Sequence, residues 1–339
     1  MLRGAISGFG EVAARAHLVG WKAHPDVQIV AIHDPVAARR HAAINLIKNI
    51  RVYDDLDLML DGEKLDFLDI ASPPAYHAAT ASRAVEAGAH VLIEKPLCLE
   101  RKVLVELVHM AAQASRVLMC VHNWKHAPAY RRAHELVASG RLGAVTRLSL
   151  DRLRDGPAGQ GSSAGGERWR RDAQSGGGIL IDHGWHVFYL MQWLMDAPPL
   201  TVAAELGYQP GSNVDDFARV RIDFASGTAD AHLSWRAAKR ATTARIDGAE
   251  GLLSIDGTRL ELRTRDGNLE DCSVADVPDD SYHPSWFAGM AAEFVRAIEQ
   301  RFGGPAMAEN IAEAENAVAV IEAARKSSQL GGSRVSINE

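Results

Sequence analysis

Cysteine is scarce: Cys98, Cys120 and Cys272 are the only three in 339 residues, and no two make a CxxC pair. That excludes a disulfide framework and a thiolate zinc site, and points to free thiols in a reducing compartment. Long apolar runs are missing too, none approaching the roughly 20 residues a membrane helix needs. Basic charge is not in excess: 37 Lys and Arg stand against 43 Asp and Glu, a formal net charge of -6. Such a chain lacks the electrostatic footprint of a nucleic-acid or anionic-membrane binder. No Pro, Gln or Ser tract interrupts it, and 47% hydrophobic with 24% charged residues suits a folded protein rather than a disordered one. The first strand is expected to start at Leu2, which leaves no room for a signal peptide, so the expected location is the cytoplasm.

What is present begins with length, which exceeds one ordinary core and implies two domains. Leu2 to Ser7 is a short apolar run that ends in Gly8-Phe9-Gly10-Glu11-Val12-Ala13, and Ala, Val and Leu then recur at helical spacing up to Trp21. This reads as strand, tight turn and helix. Gly8 permits the turn, Gly10 lets backbone N–H groups approach a pyrophosphate, and small Ala13 lets the helix pack against the strand. A second apolar run, Gln28 to His33, ends in Asp34, a carboxylate placed to bind both hydroxyls of an adenine ribose. Asp34 would repel a 2'-phosphate and therefore favours NAD. Arg39 and Arg40 on the next helix keep NADP as the alternative.

The alternation continues through strands at Leu65–Ala71, His90–Glu94 and Val117–His122, with helices at Pro74–Gly88 and Leu99–Ser115 between them. Such alternation predicts a doubly wound parallel sheet, with ligands at the carboxyl ends of its strands. Two ends are unusual: Ser72-Pro73-Pro74 followed by His77, a rigid turn on the expected nicotinamide side, and Glu94-Lys95-Pro96. Proline after Lys95 holds the lysine extended, out of the sheet end.

The character changes at His122-Asn123-Trp124-Lys125, and we place the domain boundary there, giving an NAD(P)-binding domain over 1–121 and a substrate and oligomerisation domain over 122–339. Beyond a helix at Ala129–Ser139 and a strand at Ala144–Leu153, the stretch Asp155–Gly166 is Gly- and Ser-rich and reads as a loop, with Trp169 and Arg170 after it. In this position it could close over substrate. Then comes Ser175-Gly176-Gly177-Gly178-Ile179-Leu180-Ile181-Asp182-His183-Gly184-Trp185-His186. Its three glycines would let a ligand approach the start of a helix expected from Gly177 to Met195, and Asp182 and His186 share a helix face, a carboxylate placed to orient an imidazole. Alternating segments from Leu200 to Arg263, punctuated by glycine turns, predict an open, mostly antiparallel sheet. Tyr282 and His283 precede a helix at Pro284–Gln300, and could wall a substrate pocket. A last helix, Ala308–Gln329, and a strand, Arg334–Ile337, could pack back on the N-terminal domain.

Three motifs in this order, Gly8-Phe9-Gly10-Glu11-Val12-Ala13, Glu94-Lys95-Pro96 and the glycine-rich run ending in His186, resemble the Gfo/Idh/MocA family of nicotinamide-dependent oxidoreductases. The resemblance covers nearly the whole chain. It implies a Rossmann domain followed by an α+β domain, NAD as cofactor, a sugar, cyclitol or polyol substrate, and a homodimer or homotetramer formed through the second sheet. It implies no metal. It assigns Lys95, Asp182 and His186 as the catalytic set, with Gly8, Phe9, Gly10, Glu11, Val12, Asp34, Ser72, Pro73, His77, Glu94 and Lys95 around the cofactor. Lys125, Trp169, Arg170, Tyr282 and His283 are the candidate substrate contacts. Two positions depart from the family: Lys125 stands where an arginine is common, losing the planar fork, and Tyr189 stands where many members carry an acid. Two alternatives stand beside it: an NAD-retaining hydrolase or lyase with transient oxidation, which the same trio allows, and a non-catalytic nucleotide sensor, against which the retention of Lys95, Asp182 and His186 argues.

Overall fold

The computed structural model describes residues 1–157, 168–276, 282–300 and 304–337. Its contacts divide the chain into two units, Met1–Asn123 with Pro278–Glu315, and Trp124–Val277 with Asn316–Glu339.

The first unit is a six-stranded sheet of order β3-β2-β1-β4-β5-β6 in which every pairing is parallel. Its strands are β1 (Leu2–Ser7), β2 (Val27–His33), β3 (Arg51–Tyr53), β4 (Phe67–Ile70), β5 (His90–Ile93) and β6 (Leu118–Cys120). The helices between them are α1 (Leu18–Ala23), α2 (Ala37–Leu46), α3 (Leu56–Gly62), α4 (His77–Glu86) and α5 (Arg101–Gln113). The middle strands are apolar at nearly every position because both faces are covered: Ala5, Ile6, Phe67, Leu68, Ile70, Val91, Leu92 and Ile93 are all fully buried. Register aligns Ser7 with His33 and Ile70, and Ile70 with Ile93. The residues that follow, Gly8, Asp34, Ala71 and Glu94, therefore emerge at one level of the sheet's carboxyl edge. Between β1 and β4 the winding reverses direction, which is where open α/β sheets bind ligands.

The second unit holds a nine-stranded mixed sheet of order β14-β13-β12-β11-β7-β10-β9-β8-β15. After α6 (Pro128–Ala138) come β7 (Val145–Leu153), the helices α7 (Ile179–Asp182) and α8 (Gly184–Met195), and then β8 (Pro199–Tyr208), β9 (Asp215–Phe224), β10 (Gly227–Ser234), β11 (Ala241–Gly248), β12 (Gly251–Asp256), β13 (Arg259–Thr264) and β14 (Leu269–Asp271). Neighbours pair antiparallel except β7 with β10. The strands alternate: Leu148, Leu150, Ala229, Leu233 and Ile246 are buried, while Arg147, Arg219, Arg221 and Arg245 stand exposed on the other face. Helix α8 is buried at every position but Trp193, as its apolar composition on all sides requires.

Helix α9 (Pro284–Glu299) rejoins the first unit, where Phe287 stacks on His17 with ring centroids 3.9 Å apart. In α10 (Pro305–Gln329), Asn310 accepts the Cys120 N–H at 2.7 Å and donates to the Cys120 carbonyl at 2.9 Å, so its amide satisfies the otherwise open edge of β6. The closing strand, β15 (Val335–Ser336), pairs antiparallel with β8 at the edge of the second sheet, so of the two last elements expected to return to the nucleotide domain only the start of α10, as far as Glu315, is grouped with the first unit, together with α9. Most of the loop expected over 155–166 lies outside the described residues.

Candidate active site

In the first unit the site is built on the turn after β1. Gly8 adopts φ +89°, and a side chain there would place Cβ 2.5 Å from the Ser72 nitrogen, so only glycine lets the β1 and β4 turns meet. At Gly10 a Cβ would meet nothing within 4 Å, which leaves an open cradle at the backbone. Asp34 is wholly buried; its carboxylate accepts the Phe9 N–H at 2.8 Å and the Val36 N–H at 2.8 Å, and Arg39 approaches at 3.4 Å. The carboxylate thus fixes the glycine turn from the next strand. An open backbone turn beside a fixed carboxylate fits a dinucleotide. Glu11 lies exposed at the head of the helix, Val12 is half-buried, and the Phe9 side chain is buried.

A π-helical turn, Ala13–His17, carries a residue that sequence reasoning overlooked. His17 is fully buried, with Nδ1 2.8 Å from Asp69 Oδ2 and Nε2 3.0 Å from Glu94 Oε1. Burial pulls its pKa down, but the two carboxylates overrule burial and hold it at about 9. Trp21 Nε1 also donates to Asp69, at 2.7 Å. The second oxygen of Glu94 accepts the Lys95 N–H at 3.0 Å, so the backbone of the Glu94-Lys95-Pro96 motif is tied to a buried Asp69–His17–Glu94 chain. The Lys95–Pro96 bond is cis and Lys95 is half-buried.

His77 has no exposed surface: Nδ1 lies 2.7 Å from the Pro96 carbonyl and Nε2 2.8 Å from that of Ser72. Burial outweighs these carbonyls and lowers its pKa. It bridges the turns after β4 and β5. Tyr282 lies under the Arg15 guanidinium at 4.4 Å from its ring, and His283, at φ +46°, stacks on Trp286 at 3.6 Å. Both are grouped with the first unit.

In the second unit the glycine-rich run does not form a helix from Gly177. Gly178 takes φ +109°, a conformation closed to other residues, and the helix starts at Ile179. The space its missing side chain leaves is filled by Asp215, whose Oδ1 would stand 2.5 Å from a Cβ and whose Oδ2 accepts the Leu180 N–H at 2.7 Å. A Cβ on Gly177 would meet the Arg170 carbonyl at 2.5 Å. At these two positions the glycines admit the protein's own groups, not the ligand that sequence suggested. Asp215 is a remote N-terminal cap, and burial pushes its pKa up.

His183 divides α7 from α8. Trp235 Nε1 donates to its Nδ1 at 3.1 Å, so that nitrogen carries a lone pair. Asp182 accepts Arg170 Nε at 3.0 Å, and Arg170 in turn covers Trp169 at 4.4 Å. His186 is 8% exposed; its Nδ1 lies 3.1 Å from the Tyr189 hydroxyl, which accepts the Trp124 N–H at 3.0 Å. The rings of Trp124 and His186 stack at 4.6 Å and 7°. Lys125 Nζ sits 5.2 Å from the Trp193 ring. Two of the sequence-derived substrate contacts, Trp169 and Arg170, thus gather at Asp182, while Trp124 and Tyr189 surround the imidazole.

Among the described residues there is no group of His, Cys, Asp or Glu able to hold a metal ion, and no helix long and apolar enough to cross a membrane.

Residues 2–122 match the model of the oxidoreductase family with an NAD-binding Rossmann fold, and residues 130–254 match the Gfo/Idh/MocA C-terminal domain. The chain belongs to the Gfo/Idh/MocA oxidoreductase family. It is 28% identical over 219 residues to an uncharacterised oxidoreductase of Synechocystis, a match covering 64% of this chain and 56% of that protein. The chain therefore spans little more than half the length of that relative. It is 28% identical over 274 residues to the D-apiose dehydrogenase of Paraburkholderia graminis, covering 78% of this chain and 70% of that enzyme. Among solved structures, GenD2 from gentamicin A biosynthesis, crystallised with NAD, superposes with a TM-score of 0.84 at 26% identity, covering 100% of this chain and 97% of that one. The Gfo/Idh/MocA assignment accounts for both sheets, and the Rossmann unit carries the family's NAD-binding character.

Proposed function

We propose that this chain catalyses NAD-dependent oxidation and reduction at a hydroxyl or carbonyl carbon of a sugar, cyclitol or related polyol, with Lys95, Asp182 and His186 as the reacting set. The observation that carries the reading is the way His186 is held: its Nδ1 is committed to Tyr189 and its ring is stacked on Trp124. The proton work then falls to Nε2. The nicotinamide supplies hydride chemistry when bound. His186 takes the substrate hydroxyl proton on oxidation and returns it on reduction. Asp182, itself anchored by Arg170, favours the imidazolium electrostatically. Lys95 polarises the substrate oxygen, its backbone fixed by Glu94. Asp34, Gly8 and Gly10 hold the dinucleotide, with NAD preferred over NADP because of the Asp34 carboxylate. A second copy of the chain on the open face of the nine-stranded sheet belongs to the same reading, and the mass in solution tests it.

The test is a screen of neutral and acidic polyols with NAD, read at the reduced-nicotinamide absorbance band. Substrate-dependent reduction, lost by about a hundredfold or more in Lys95→Ala and His186→Ala while NAD affinity persists, supports the reading. Full turnover in either variant overturns the assignment of that residue. Product formed without net nicotinamide reduction moves the chain to the NAD-retaining lyase or hydrolase class.

A further inference from the structure

The covered face of β7 ends in two arginines. Leu148 and Leu150 on that face are fully buried, and the two-residue period carries the same face on to Arg152 and, one residue past the strand, Arg154. Arg154 is only 8% exposed. Arg152 Nη1 donates to Thr242 Oγ1 at 2.6 Å, and Arg154 Nη2 donates to the same oxygen at 3.0 Å. The remaining bonds of Arg154 go to the carbonyls of Leu153 at 2.6 Å and Ala241 at 2.9 Å. The Nε atoms of both arginines are buried without an acceptor.

Two other partly buried guanidinium groups meet carboxylates, Arg170 at Asp182 and Arg39 at Asp34. Arg152 and Arg154 instead share one neutral hydroxyl. Burial and the nearby Arg240 press the pKa of Arg154 down to about 10, against the weaker pull of Tyr130 and Asp155. Two cations brought together on a covered face, with neutral acceptors only, are short of an anion. Their position says which anion. The Arg152 guanidinium lies 4.6 Å from the Trp124 ring, and that ring stacks on His186.

We infer that Arg152 and Arg154 receive an oxyanion carried by the substrate, so the sugar or polyol that reaches His186 bears a carboxylate or a phosphate. The inference rests on the dehydrogenase reading for the word substrate, but the anion site stands on its own geometry. The guanidinium fork suits either group, and the Thr242 hydroxyl that now joins the two forks would be replaced or supplemented by charged oxygens.

Calorimetry on the full chain with NADH tests it, using D-gluconate, D-glucose 6-phosphate and D-glucitol as probes. One of the two anions is expected to bind roughly tenfold to a hundredfold more tightly than glucitol, the worth of a charge-assisted hydrogen bond, and the better one identifies the group. In Arg152→Gln and Arg154→Gln that preference should fall towards unity, with Arg154→Lys between the two. If Arg154→Gln does not fold, Arg152→Gln decides alone. Equal binding of glucitol and both anions, or an undiminished preference in Arg152→Gln, overturns the site. Anion preference without any nicotinamide reduction would sink the dehydrogenase reading and leave the site standing; turnover of neutral polyols with no anion preference would do the reverse.

Discussion

The Tyr189 hydroxyl lies 3.1 Å from His186 Nδ1 and accepts the main-chain N–H of Trp124 at 3.0 Å. For Nε2 to take a proton, the neutral ring must carry its own on Nδ1, and the phenol oxygen, which accepts the Trp124 N–H, is within reach to accept Nδ1–H as well. Where relatives are expected to carry an acid, this chain uses a neutral group. Tyr189→Glu should therefore favour the imidazolium and move the acid limb of kcat/KM for oxidation to higher pH. Tyr189→Phe strands a buried N–H and should cost about 1 to 3 kcal/mol of stability. A Tyr189→Glu profile that overlays the parent's would remove His186 from the proton step.

The Asp69–His17–Glu94 chain makes stability depend on pH in a stated direction. His17 rises from its ordinary 6.5 to about 9 in the folded chain. A raised pKa means its stabilisation is whole below about 6.5 and is lost as pH rises through about 9, a change on the order of 3 kcal/mol. Glu94 is shifted the other way: burial opposes ionisation but His17 and Lys95 win, so its share holds above the ordinary carboxylate range and fades in acid. Urea unfolding across the alkaline window should show the slope in the parent and not in His17→Gln. The same variant should lower kcat more than NAD affinity, because His17 acts on Lys95 through Glu94.

How much of this could be read from the chain depends on how far apart the partners lie. The β–α alternation, the glycine turn and the carboxylate at Asp34 are local patterns, and the sheet reproduces them. His17 was invisible because nothing near it marks its role: Asp69 and Glu94 are 52 and 77 residues away. The triple glycine misled for the same reason. Its open space belongs to Asp215, which bonds Leu180 from 35 residues on. Arg152 and Arg154 sit at the polar end of a strand, where alternation alone does not tell a covered face from a solvated one.

Gly178 offers a test of that correction. An alanine there must adopt φ +109° and push its Cβ against Asp215 Oδ1. Gly178→Ala should lose at least about 2 kcal/mol of stability, from backbone strain and a displaced cap. Pairing it with Asp215→Ala relieves the clash but not the strain, so the double variant should be less destabilised than the two losses summed. Additive losses, measured by chemical unfolding, would mean the carboxylate does not occupy the glycine's space.

On the proposed reading, Asp34 selects between the two nicotinamide cofactors through both charge and position. It is buried, ties Phe9 of the glycine turn, and holds Arg39 at 3.4 Å. Arg40 caps the Asp34 carbonyl at 2.8 Å. Asp34→Ser removes the charge that repels a 2'-phosphate and releases Arg39 to meet it. It also takes an acceptor from the Phe9 N–H, so NADH affinity should fall by about tenfold while NADPH affinity rises. Adding Arg39→Ala should abolish the NADPH gain without restoring NADH. Titration of both reduced cofactors by fluorescence reads each arm, and an NADPH gain that survives the loss of Arg39 would show that relief of repulsion alone, not a new ion pair, sets the choice.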